Sequence, residues 1–429
     1  MNNKLVSPKK IQGFWELMPK DEVLFEDMLG RLKRVFETNC FLPLDTPVAE
    51  FAEVLLAKSG GDVDKEIYRF TKGHADICLR YDLTVPLARF VAGNFNELDF
   101  PFKRYQIGKV YRGERPQKGR FREFYQCDAD VIGEELPLSY DAECIYLYKP
   151  AFKALNLEVV VEISNRNILA GLFESFGKDI EPLMVIIDKL DKLDRDEIVN
   201  LLTEKGLNGE QIEKTLKIAG TSGDIEKVLS LKTECENATY LKGIDDLACL
   251  DELLKALGVE NRIFNLSIVR GHNYYTGTVF ECYLLGKRNL GAIGGGGRYD
   301  NLCKNFLDKK LQGVGMSIGI TRLFDILKSE NLLKDEGQSF VTVGIITFEE
   351  TLNYGLQIMA SLREKGIRAE VLNETKSFKA KMKEANKRQI EFVLILGEDE
   401  VKEQLFTLKN MTTGEQEKLN LKGIVEKLS

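Results

Sequence analysis

The stretch FKRYQIGKVYRGERPQKGRFREFYQCDADVIG, Phe102 to Gly133, predicts two β-strands joined by a charged loop. Successive side chains of a strand point to opposite sides, so every second residue of the return strand shares a face. The even-numbered positions are mostly polar, namely Arg122, Phe124, Gln126, Asp128 and Asp130. The odd-numbered positions are mostly apolar, namely Phe121, Tyr125, Cys127, Ala129 and Val131. We therefore expect a sheet with one dry face and one face that binds a polar ligand.

The loop between these strands has four basic side chains, Arg112, Arg115, Lys118 and Arg120, with only Glu114 opposing them. Guanidinium groups match the oxygens of phosphates and carboxylates, so one interpretation is a phosphate clamp above the polar face. The alternative is a solvated hairpin tip, because charged loops are common on protein surfaces. The loop alone leaves both interpretations open.

Composition is typical of a globular protein, and the 429 residues predict roughly two to four domains. Hydrophobic residues make up 44% of the chain and charged residues 30%. No apolar run is long enough to span a bilayer, and Met1 to Lys10 lacks the apolar core of a secretory signal. We expect a cytoplasmic protein with no membrane partner.

The cysteines and histidines of the sequence do not form a pattern typical of metal binding or redox chemistry. The eight cysteines contain no CxxC pair, which argues against a zinc site and against a disulfide framework. The only histidines are His74 and His272. The net charge of −7 means that a nucleic-acid partner would have to bind a local basic patch.

Three further regions have recognisable patterns. Asp82 to Thr84 is a predicted strand-to-helix junction, where backbone N–H groups are free to meet a ligand. From about Lys178 to Leu250 the helical spacing predicts a helical insertion, and its near-repeat DKLDKLD is interpreted as a solvated helix face. From Phe340 to Ser429 strands and helices alternate, which predicts a compact α/β domain with mostly parallel strands.

Other candidate residues follow later in the chain. The run Gly294 to Gly297 lacks the lysine of a P-loop; it suits either close approach of another backbone or a bare surface for a flat ring. Arg270 either meets an anion or pairs with a carboxylate, and Arg322 alone resembles an ordinary surface residue. Together, the arginines suit a polyphosphate and the carboxylates of Asp82 and Asp130 suit an amine. Such a site matches phosphoryl or nucleotidyl transfer, which needs positioning and charge neutralisation.

Several motifs resemble those of histidyl-tRNA synthetase, a class II aminoacyl-tRNA synthetase, over essentially the whole chain. Pro47 with its flanks resembles the first class II motif, VYRGERPQKGRFREFYQCDADVIG the second and GVGMSIGITRL the third. RGHNYYTGTVFE and GGGGRYDNL are similar to the two histidine-specific segments, and these are the most specific matches. His272 and Asn273 replace the usual Leu-Asp, which removes a charge beside Tyr274.

The resemblance implies ATP-dependent attachment of L-histidine to its tRNA through a histidyl-adenylate. ATP would be a substrate, Mg²⁺ would accompany the pyrophosphate, and the protein alone would form no metal site. The implied histidine-binding residues are Asp82, Leu83, Thr84, Arg112, Gln126, Asp130, Arg270, Tyr274 and Tyr275. The implied ATP-binding residues are Arg112, Glu114, Arg120 and Arg322. Arg112 and Arg270 would be catalytic: Arg112 would bridge the histidine carboxylate and the α-phosphate, and Arg270 would draw charge from that phosphate.

The resemblance also implies an α+β fold with a class II synthetase-like antiparallel sheet. The catalytic core would occupy 1–176 and 256–330, interrupted by a helical insertion at 177–255, with an α/β anticodon-binding domain at 338–429. The first motif of this class lies in the dimer interface, so a homodimer is implied. The best tRNA phosphate footprint is the cluster of Lys379, Lys381 and Lys387, although a solvated helix face gives the same pattern.

Two other functions remain open from the sequence. One is a non-catalytic paralogue that serves as a regulatory subunit of ATP phosphoribosyltransferase. Such relatives lack the C-terminal domain and lose binding residues, whereas both are present here. The other is a non-enzymatic module that senses tRNA or histidine. Histidine-dependent exchange of pyrophosphate with ATP separates all three.

Overall fold

Two compact units make up the chain. The computed structural model describes residues 6–56, 66–115, 119–269, 275–300, 303–333, 339–372 and 376–428. The first unit comprises Met1–Leu17 and Leu24–Glu330, and the second comprises Met18–Val23 and Asn331–Ser429. Among the described helices, none combines the length and the apolar character needed to cross a membrane.

Strands and helices alternate irregularly as far as Ser329. The strands are β1 (Leu42–Pro43), β2 (Ala49–Phe51), β3 (Arg69–Lys72), β4 (Ala75–Leu79), β5 (Phe102–Tyr111), β6 (Glu123–Gly133), β7 (Val159–Asn165), β8 (Ser222–Gly223), β9 (Arg262–Asn265), β10 (Thr278–Leu284), β11 (Gly294–Tyr299) and β12 (Gln312–Ile318). The helices are α1 (Pro19–Thr38), α2 (Ala52–Leu56), α3 (Thr84–Gly93), α4 (Ser139–Tyr146), α5 (Tyr148–Ala154), α6 (Arg166–Ser175), α7 (Ile180–Ile187), α8 (Arg195–Glu204), α9 (Gly209–Ala219), α10 (Ile225–Leu229), α11 (Ala238–Ala256) and α12 (Ile320–Ser329).

One large sheet organises the first unit. Its described strands run in the order β1-β5-β6-β12-β11-β10-β7-β9-β8, and most neighbours are antiparallel. The pairs β1–β5 and β7–β9 are parallel. A smaller sheet has the order β2-β4-β3. The predicted α+β fold with an antiparallel core is therefore confirmed.

The predicted hairpin forms from β5 and β6, with Arg104 opposite Asp130. On its other side β6 pairs with β12, which places Ser317 opposite Asp128. The odd-numbered residues Cys127, Ala129 and Val131 are fully buried, as the dry face predicts. Asp128 and Asp130 are buried as well, and buried carboxylates need an internal partner or a ligand.

The structure supports the interpretation of the glycine run as a site of close approach by neighbouring groups. A Cβ on Gly296 would collide with the Phe280 ring and the Gly315 carbonyl, so this glycine permits close packing. Gly294, Gly295 and Gly296 also line a cavity described below, and their use as a surface for a flat ring stays a prediction.

The regular elements from α7 to α11 are helices, apart from the two-residue strand β8, which confirms the predicted helical character of this region. The interpretation of DKLDKLD as a helix face is wrong. Residues 188–194 form turns, because α7 ends at Ile187 and α8 starts afresh behind the N-cap Asp194. Asp194 and Glu197 form a capping box, which satisfies backbone donors and fixes that start.

The second unit is an α/β domain with its own sheet. Its strands are β13 (Val343–Thr347), β14 (Ala369–Val371), β15 (Phe392–Leu396), β16 (Phe406–Asn410) and β17 (Gln416–Leu419), in the sheet order β14-β13-β15-β16-β17. Its helices are α13 (Leu352–Glu364), α14 (Phe378–Lys387), α15 (Glu398–Glu403) and α16 (Leu421–Leu428). The pairs β13–β14 and β13–β15 are parallel, and β16 and β17 extend the sheet antiparallel. The sequence predicted the three parallel strands but not this antiparallel extension.

Candidate active site

A cavity of about 460 Å³ lies over the polar face of the large sheet. Its walls come from β6, β10, β11, β12, the junction before α3 and the start of α12. The residues with a role implied by the family resemblance that line it are Asp82, Thr84, Arg112, Gln126, Tyr275 and Arg322. Asp128 of the polar strand face and the glycines Gly294, Gly295 and Gly296 line it as well. Arg270, Tyr274 and Lys118 lie outside the described residues.

The junction before α3 is built around the Asp82 carboxylate. Its Oδ1 accepts hydrogen bonds from the backbone N–H groups of Thr84 at 3.1 Å and Val85 at 3.0 Å, which satisfies donors at the helix start. Its Oδ2 accepts no hydrogen bond from the described residues. Leu83 is fully buried, and its carbonyl accepts from Arg104 Nη2 at 3.1 Å. Leu83 therefore braces the junction, while Asp82 and Thr84 line the cavity.

Gln126, Ser317 and Asp128 form a hydrogen-bonded floor. Gln126 Nε2 donates to Ser317 Oγ at 2.9 Å, and the Ser317 side chain is in turn hydrogen-bonded to Asp128. Within the described part of the chain, Gln126 Oε1 and Asp128 Oδ1 have no hydrogen-bond partner. Burial, followed by the charge of Asp130, raises the pKa of Asp128 to about 7. The floor thus offers two unused acceptor oxygens.

Asp130 is held inside the protein rather than on the cavity wall. Its Oδ2 lies 2.7 Å from Nη2 of the fully buried Arg104, and its Oδ1 accepts from the Tyr299 hydroxyl at 2.7 Å. Burial raises the pKa of Asp130, and the Arg104 charge and the Tyr299 hydrogen bond offset part of that rise. Asp130 is thus placed to brace the pocket from behind.

Two guanidinium groups line the same cavity, those of Arg112 and Arg322. Arg112 Nε donates to the Tyr81 carbonyl at 3.1 Å, and its guanidinium lies 5.3 Å from the Phe124 ring centroid. Arg322 Nη2 donates to the Leu290 carbonyl at 3.0 Å, whereas its Nε has no partner among the described residues. Burial and the nearby charge of Arg120 lower the pKa of Arg322. Like charges gathered in this way favour an anionic ligand.

The arginines of the loop between β5 and β6 differ in whether they line the cavity. Arg112 lines the cavity, which favours the phosphate-clamp interpretation at this residue. Arg120 is exposed and lies 3.5 Å from Glu114, and Arg115 is exposed as well. The exposed Arg115 and Arg120 fit the interpretation as a solvated tip, whereas the clamp at Arg112 stays a prediction.

Tyr275 lines the cavity and lies against Gly297 of β11. A Cβ on Gly297 would lie 2.9 Å from the Tyr275 ring, so the glycine makes room for the aromatic side chain. Arg298 of the segment GGGGRYDNL is buried and pairs with Asp141, which makes it a structural residue. The described residues contain no group of three His, Cys, Asp or Glu side chains that could hold a metal ion.

The cavity therefore has two kinds of lining. Acceptor oxygens of Asp82, Gln126 and Asp128 suit a ligand group rich in N–H donors, and Arg112 and Arg322 suit phosphate or carboxylate oxygens. A family model for histidyl-tRNA synthetase matches residues 13–323, and one for an anticodon binding domain matches residues 340–429. The chain belongs to the histidyl-tRNA synthetase family. The prediction from the sequence motifs is confirmed.

Relatives of this family match over the full chain. A histidine–tRNA ligase of Clostridium acetobutylicum is 43% identical over 99% of this chain and 100% of its own. The crystal structure of histidyl-tRNA synthetase from Nostoc sp. PCC 7120 has a TM-score of 0.89 at 33% identity and covers 99% of both chains. A Bacillus halodurans protein, described as an ATP phosphoribosyltransferase regulatory subunit/histidyl-tRNA synthetase, has a TM-score of 0.77 at 22% identity, covering 92% of this chain and 100% of its own. That last likeness concerns the fold alone.

In the anticodon-binding domain the predicted lysine cluster separates into two kinds of residue. Lys379 and Lys387 are exposed on α14. Lys381 is 3% exposed, and its ammonium donates to the Thr347 carbonyl at 2.6 Å. The ammonium group of Lys381 is thus held within the domain, because a helix of this spacing turns one residue in three or four inward. We leave Lys381 out of the tRNA-binding surface.

Sequence reasoning assigned no role to two polar residues that line the cavity, Glu281 and Ser317. The strand alternation placed Asp128 on the ligand-binding face, but the family resemblance assigned it no individual role. Glu281 and Ser317 belong to recognised segments, but only the sheet register reveals that they face the same space.

Proposed function

We propose that this protein attaches L-histidine to its tRNA in two steps, through a histidyl-adenylate, with release of pyrophosphate and then AMP. The observation that carries the proposal is the cavity, where acceptor oxygens for an amine and guanidiniums for phosphates meet within about 460 Å³. A substrate that contains both an ammonium group and a carboxylate to be joined to a phosphate fits such a lining.

In the first step the histidine carboxylate attacks the α-phosphorus of ATP. Asp82 and Thr84 hold the α-amino group at the junction, with Leu83 as its brace. Gln126 and Asp130 complete the amino-acid pocket, Gln126 from the floor and Asp130 from behind it. Tyr275 contacts the imidazole ring and so recognises histidine. The sequence resemblance gives Tyr274 the same role. Holding the two reactants in one orientation removes most of the entropic cost of their encounter.

The arginines stabilise the charge that develops during the attack. Arg112 bridges the histidine carboxylate and the α-phosphate. Arg120, with Glu114 beside it, reaches the γ-phosphate, and Arg322 stacks on adenine or clamps the phosphate tail. Arg270, by sequence resemblance, draws charge from the α-phosphate. Pre-placed charges of this kind act mainly on the transition state, because the negative charge is largest there.

Magnesium enters with ATP in this proposal. Glu281 lines the cavity within reach of the Arg322 charge, and would supply one oxygen ligand while phosphates and water supply the rest. Mg²⁺ would neutralise charge on the leaving pyrophosphate.

The second step transfers the histidyl group to the terminal ribose of the tRNA. The C-terminal unit binds the anticodon arm, with the exposed Lys379 and Lys387 as phosphate contacts. This surface is local, in keeping with the net charge of −7.

We also propose a cytoplasmic homodimer. Exposed apolar side chains near the first motif support the dimer: Leu42 is 60% exposed and Phe51 57% exposed. We keep the domain division into a catalytic core at 1–176 and 256–330, a helical insertion at 177–255 and an anticodon-binding domain at 338–429.

The test is histidine-dependent exchange of labelled pyrophosphate into ATP, followed by charging of tRNA. We expect both with L-histidine and neither with other amino acids. A protein that binds histidine but exchanges no pyrophosphate would instead be a regulatory subunit or a sensor, and the proposal would be wrong.

A further inference from the structure

Three acceptor oxygens along one side of the cavity lack a donor. These oxygens are Asp82 Oδ2, Gln126 Oε1 and Asp128 Oδ1. No group in the described residues donates a hydrogen bond to any of them. Asp82 is 2% exposed and Asp128 4%, so neither carboxylate is solvated as it would be at the surface. A buried acceptor without a donor destabilises the folded protein. At a functional site, a bound ligand can supply the missing donor.

We infer that Asp128 is a histidine-binding residue, and that its Oδ1 accepts a hydrogen bond from the substrate α-ammonium group beside Asp82 and Gln126. This inference rests on the proposed function and adds one residue to its amino-acid site. An ammonium group has three N–H donors and no acceptor, which matches three unused acceptors. A neutral imidazole has a single N–H donor and would leave at least two of these oxygens unpaired.

The two aspartates of β6 differ in the way that this assignment requires. Asp130 has Arg104 at one oxygen and the Tyr299 hydroxyl at the other. Among the described residues, the side chain hydrogen-bonded to Asp128 is that of Ser317, and Asp128 lines the cavity whereas Asp130 does not. Since Ser317 is already bonded to Gln126, the Asp128 carboxylate is oriented by the floor and its second oxygen is left for a ligand.

The charges around Asp128 explain why an incoming cation would bind strongly. The charged and titratable groups that face it are Asp130 on its own strand, Arg104 on β5, Asp82 at the junction before α3 and Tyr148 on α5. Among the described residues, three carboxylates thus lie near one guanidinium group. An ammonium group adds a second positive charge, so the ionised form of Asp128 is favoured in the complex and its proton leaves to solvent.

Binding should therefore depend on pH. Because the pKa of Asp128 in the empty site is about 7, the carboxylate must lose a proton on binding below that pH. Histidine affinity should fall as the pH drops from 8 to 6, and more steeply in the wild type than in Asp128→Asn. Titration of histidine itself is common to both proteins and cancels in the comparison.

The experiment measures dissociation constants by calorimetry for L-histidine, histidinol and imidazolepropionate. Histidinol keeps the ammonium group and lacks the carboxylate, whereas imidazolepropionate keeps the ring and lacks the ammonium. We expect Asp128→Asn to weaken L-histidine and histidinol by roughly 10- to 100-fold, the effect of one charged hydrogen bond, and to change imidazolepropionate by less than about 2-fold. The control is Asp76→Asn, which removes a carboxylate from an exposed pair with Arg69 outside the cavity. It should change none of the three.

Specific outcomes overturn the inference. Equal weakening of all three ligands would place Asp128 at the ring or give it a purely structural role, and an unchanged histidinol affinity would exclude contact with the ammonium. A rise in KM for ATP as large as that for histidine would also indicate a structural role. If Asp128→Asn does not fold, Ser317→Ala provides a second test. It removes a hydrogen bond that favours the ionised carboxylate, so the midpoint of the pH dependence should move to higher pH.

Failure of the inference and failure of the proposed function give different results. If wild-type protein exchanges no pyrophosphate with L-histidine and ATP, the proposed function is wrong. If the wild type does exchange, and Asp128→Asn binds histidinol as tightly as the wild type, only the assignment of Asp128 is wrong.

Discussion

The floor of the cavity and the lysine face of α14 were both predicted as ligand-binding surfaces, and they differ in how their polar groups are satisfied. On the floor, Gln126 and Asp128 are withdrawn from solvent and retain acceptor atoms without donors in the described residues. On α14, Lys379 and Lys387 are exposed to water, and Lys381 is bound to a carbonyl of its own domain. A buried group with unused bonding capacity points to a particular ligand, whereas an exposed charge is equally compatible with solvent.

The sharpest test of this contrast is Arg112→Ala. Arg112 lines the cavity, so its loss should slow histidine-dependent pyrophosphate exchange by roughly 10²- to 10³-fold, the usual effect of removing one transition-state donor. The matched control is Arg115→Ala, an exposed arginine of the same loop, which should stay within about 2-fold of the wild type. Similar losses in both variants would break the distinction between cavity and surface charge.

Arg270→Ala tests the role assigned by sequence resemblance alone. We expect adenylation to slow by about 10²-fold while the calorimetric affinity for histidine changes little, because the charge acts on the α-phosphate during attack. Single-turnover measurement of adenylate formation gives the rate. If affinity and rate decline together, Arg270 contributes to ground-state binding instead.

The lysine face is tested by the double change Lys379→Ala with Lys387→Ala. Charging of tRNA should weaken by roughly 5- to 10-fold in kcat/KM at low salt, and the loss should shrink as salt rises because both contacts are with phosphates. Pyrophosphate exchange should be unaffected.

A control for that variant is Lys402→Ala with Lys422→Ala, two exposed lysines on α15 and α16 that lie beside glutamates. It should leave charging unchanged. Equal effects of the two double variants would mean that net charge, rather than the α14 face, determines tRNA binding.

The smallest expected effect concerns stability at the floor. Burial raises the pKa of Asp128 to about 7 in the folded protein, from 3.8 as its ordinary value. Between about pH 4 and pH 7 the Asp128 carboxyl is ionised in the unfolded chain but still protonated in the folded protein. The contribution of Asp128 therefore lowers the free energy of unfolding as the pH rises from about 4 to 7. Asp128→Asn should therefore melt roughly 2 °C or more above the wild type at pH 8, with the difference vanishing near pH 4.

Scanning calorimetry at both pH values checks this expectation. A variant that melts lower at pH 8 would show that the Asp128 charge stabilises the empty protein, and its open oxygen would then not indicate a ligand.

The strand alternation in the second motif was enough to predict which residues of β6 are dry and which are polar. It could not distinguish Asp128 from Asp130, because that difference depends on Arg104, Tyr299 and Ser317 from three other strands. Such partners are distant in sequence and no local pattern encodes them.

The helical regions show the same limit. Periodicity predicted helices between about 178 and 250, but it extended one through residues 188–194, where the Asp194 capping box starts a new helix. It also placed Lys381 with the exposed lysines, although the register of α14 turns its side chain towards Thr347. Composition indicates the kind of element, whereas caps and packing decide its ends and its buried side.

The sheet order also has a consequence for synthesis of the protein. On one side β6 pairs with β5, the strand that precedes it in the chain. On its other side it pairs with β12, where Ile318 lies opposite Cys127 of β6, 191 positions earlier in the chain. A growing chain therefore exposes one edge of β6 until the whole helical region and β10 to β12 have been made, and open strand edges are prone to mispairing. A fragment that ends before Gln312 would keep the hairpin and lack half of the floor, so the cavity is completed only late in synthesis.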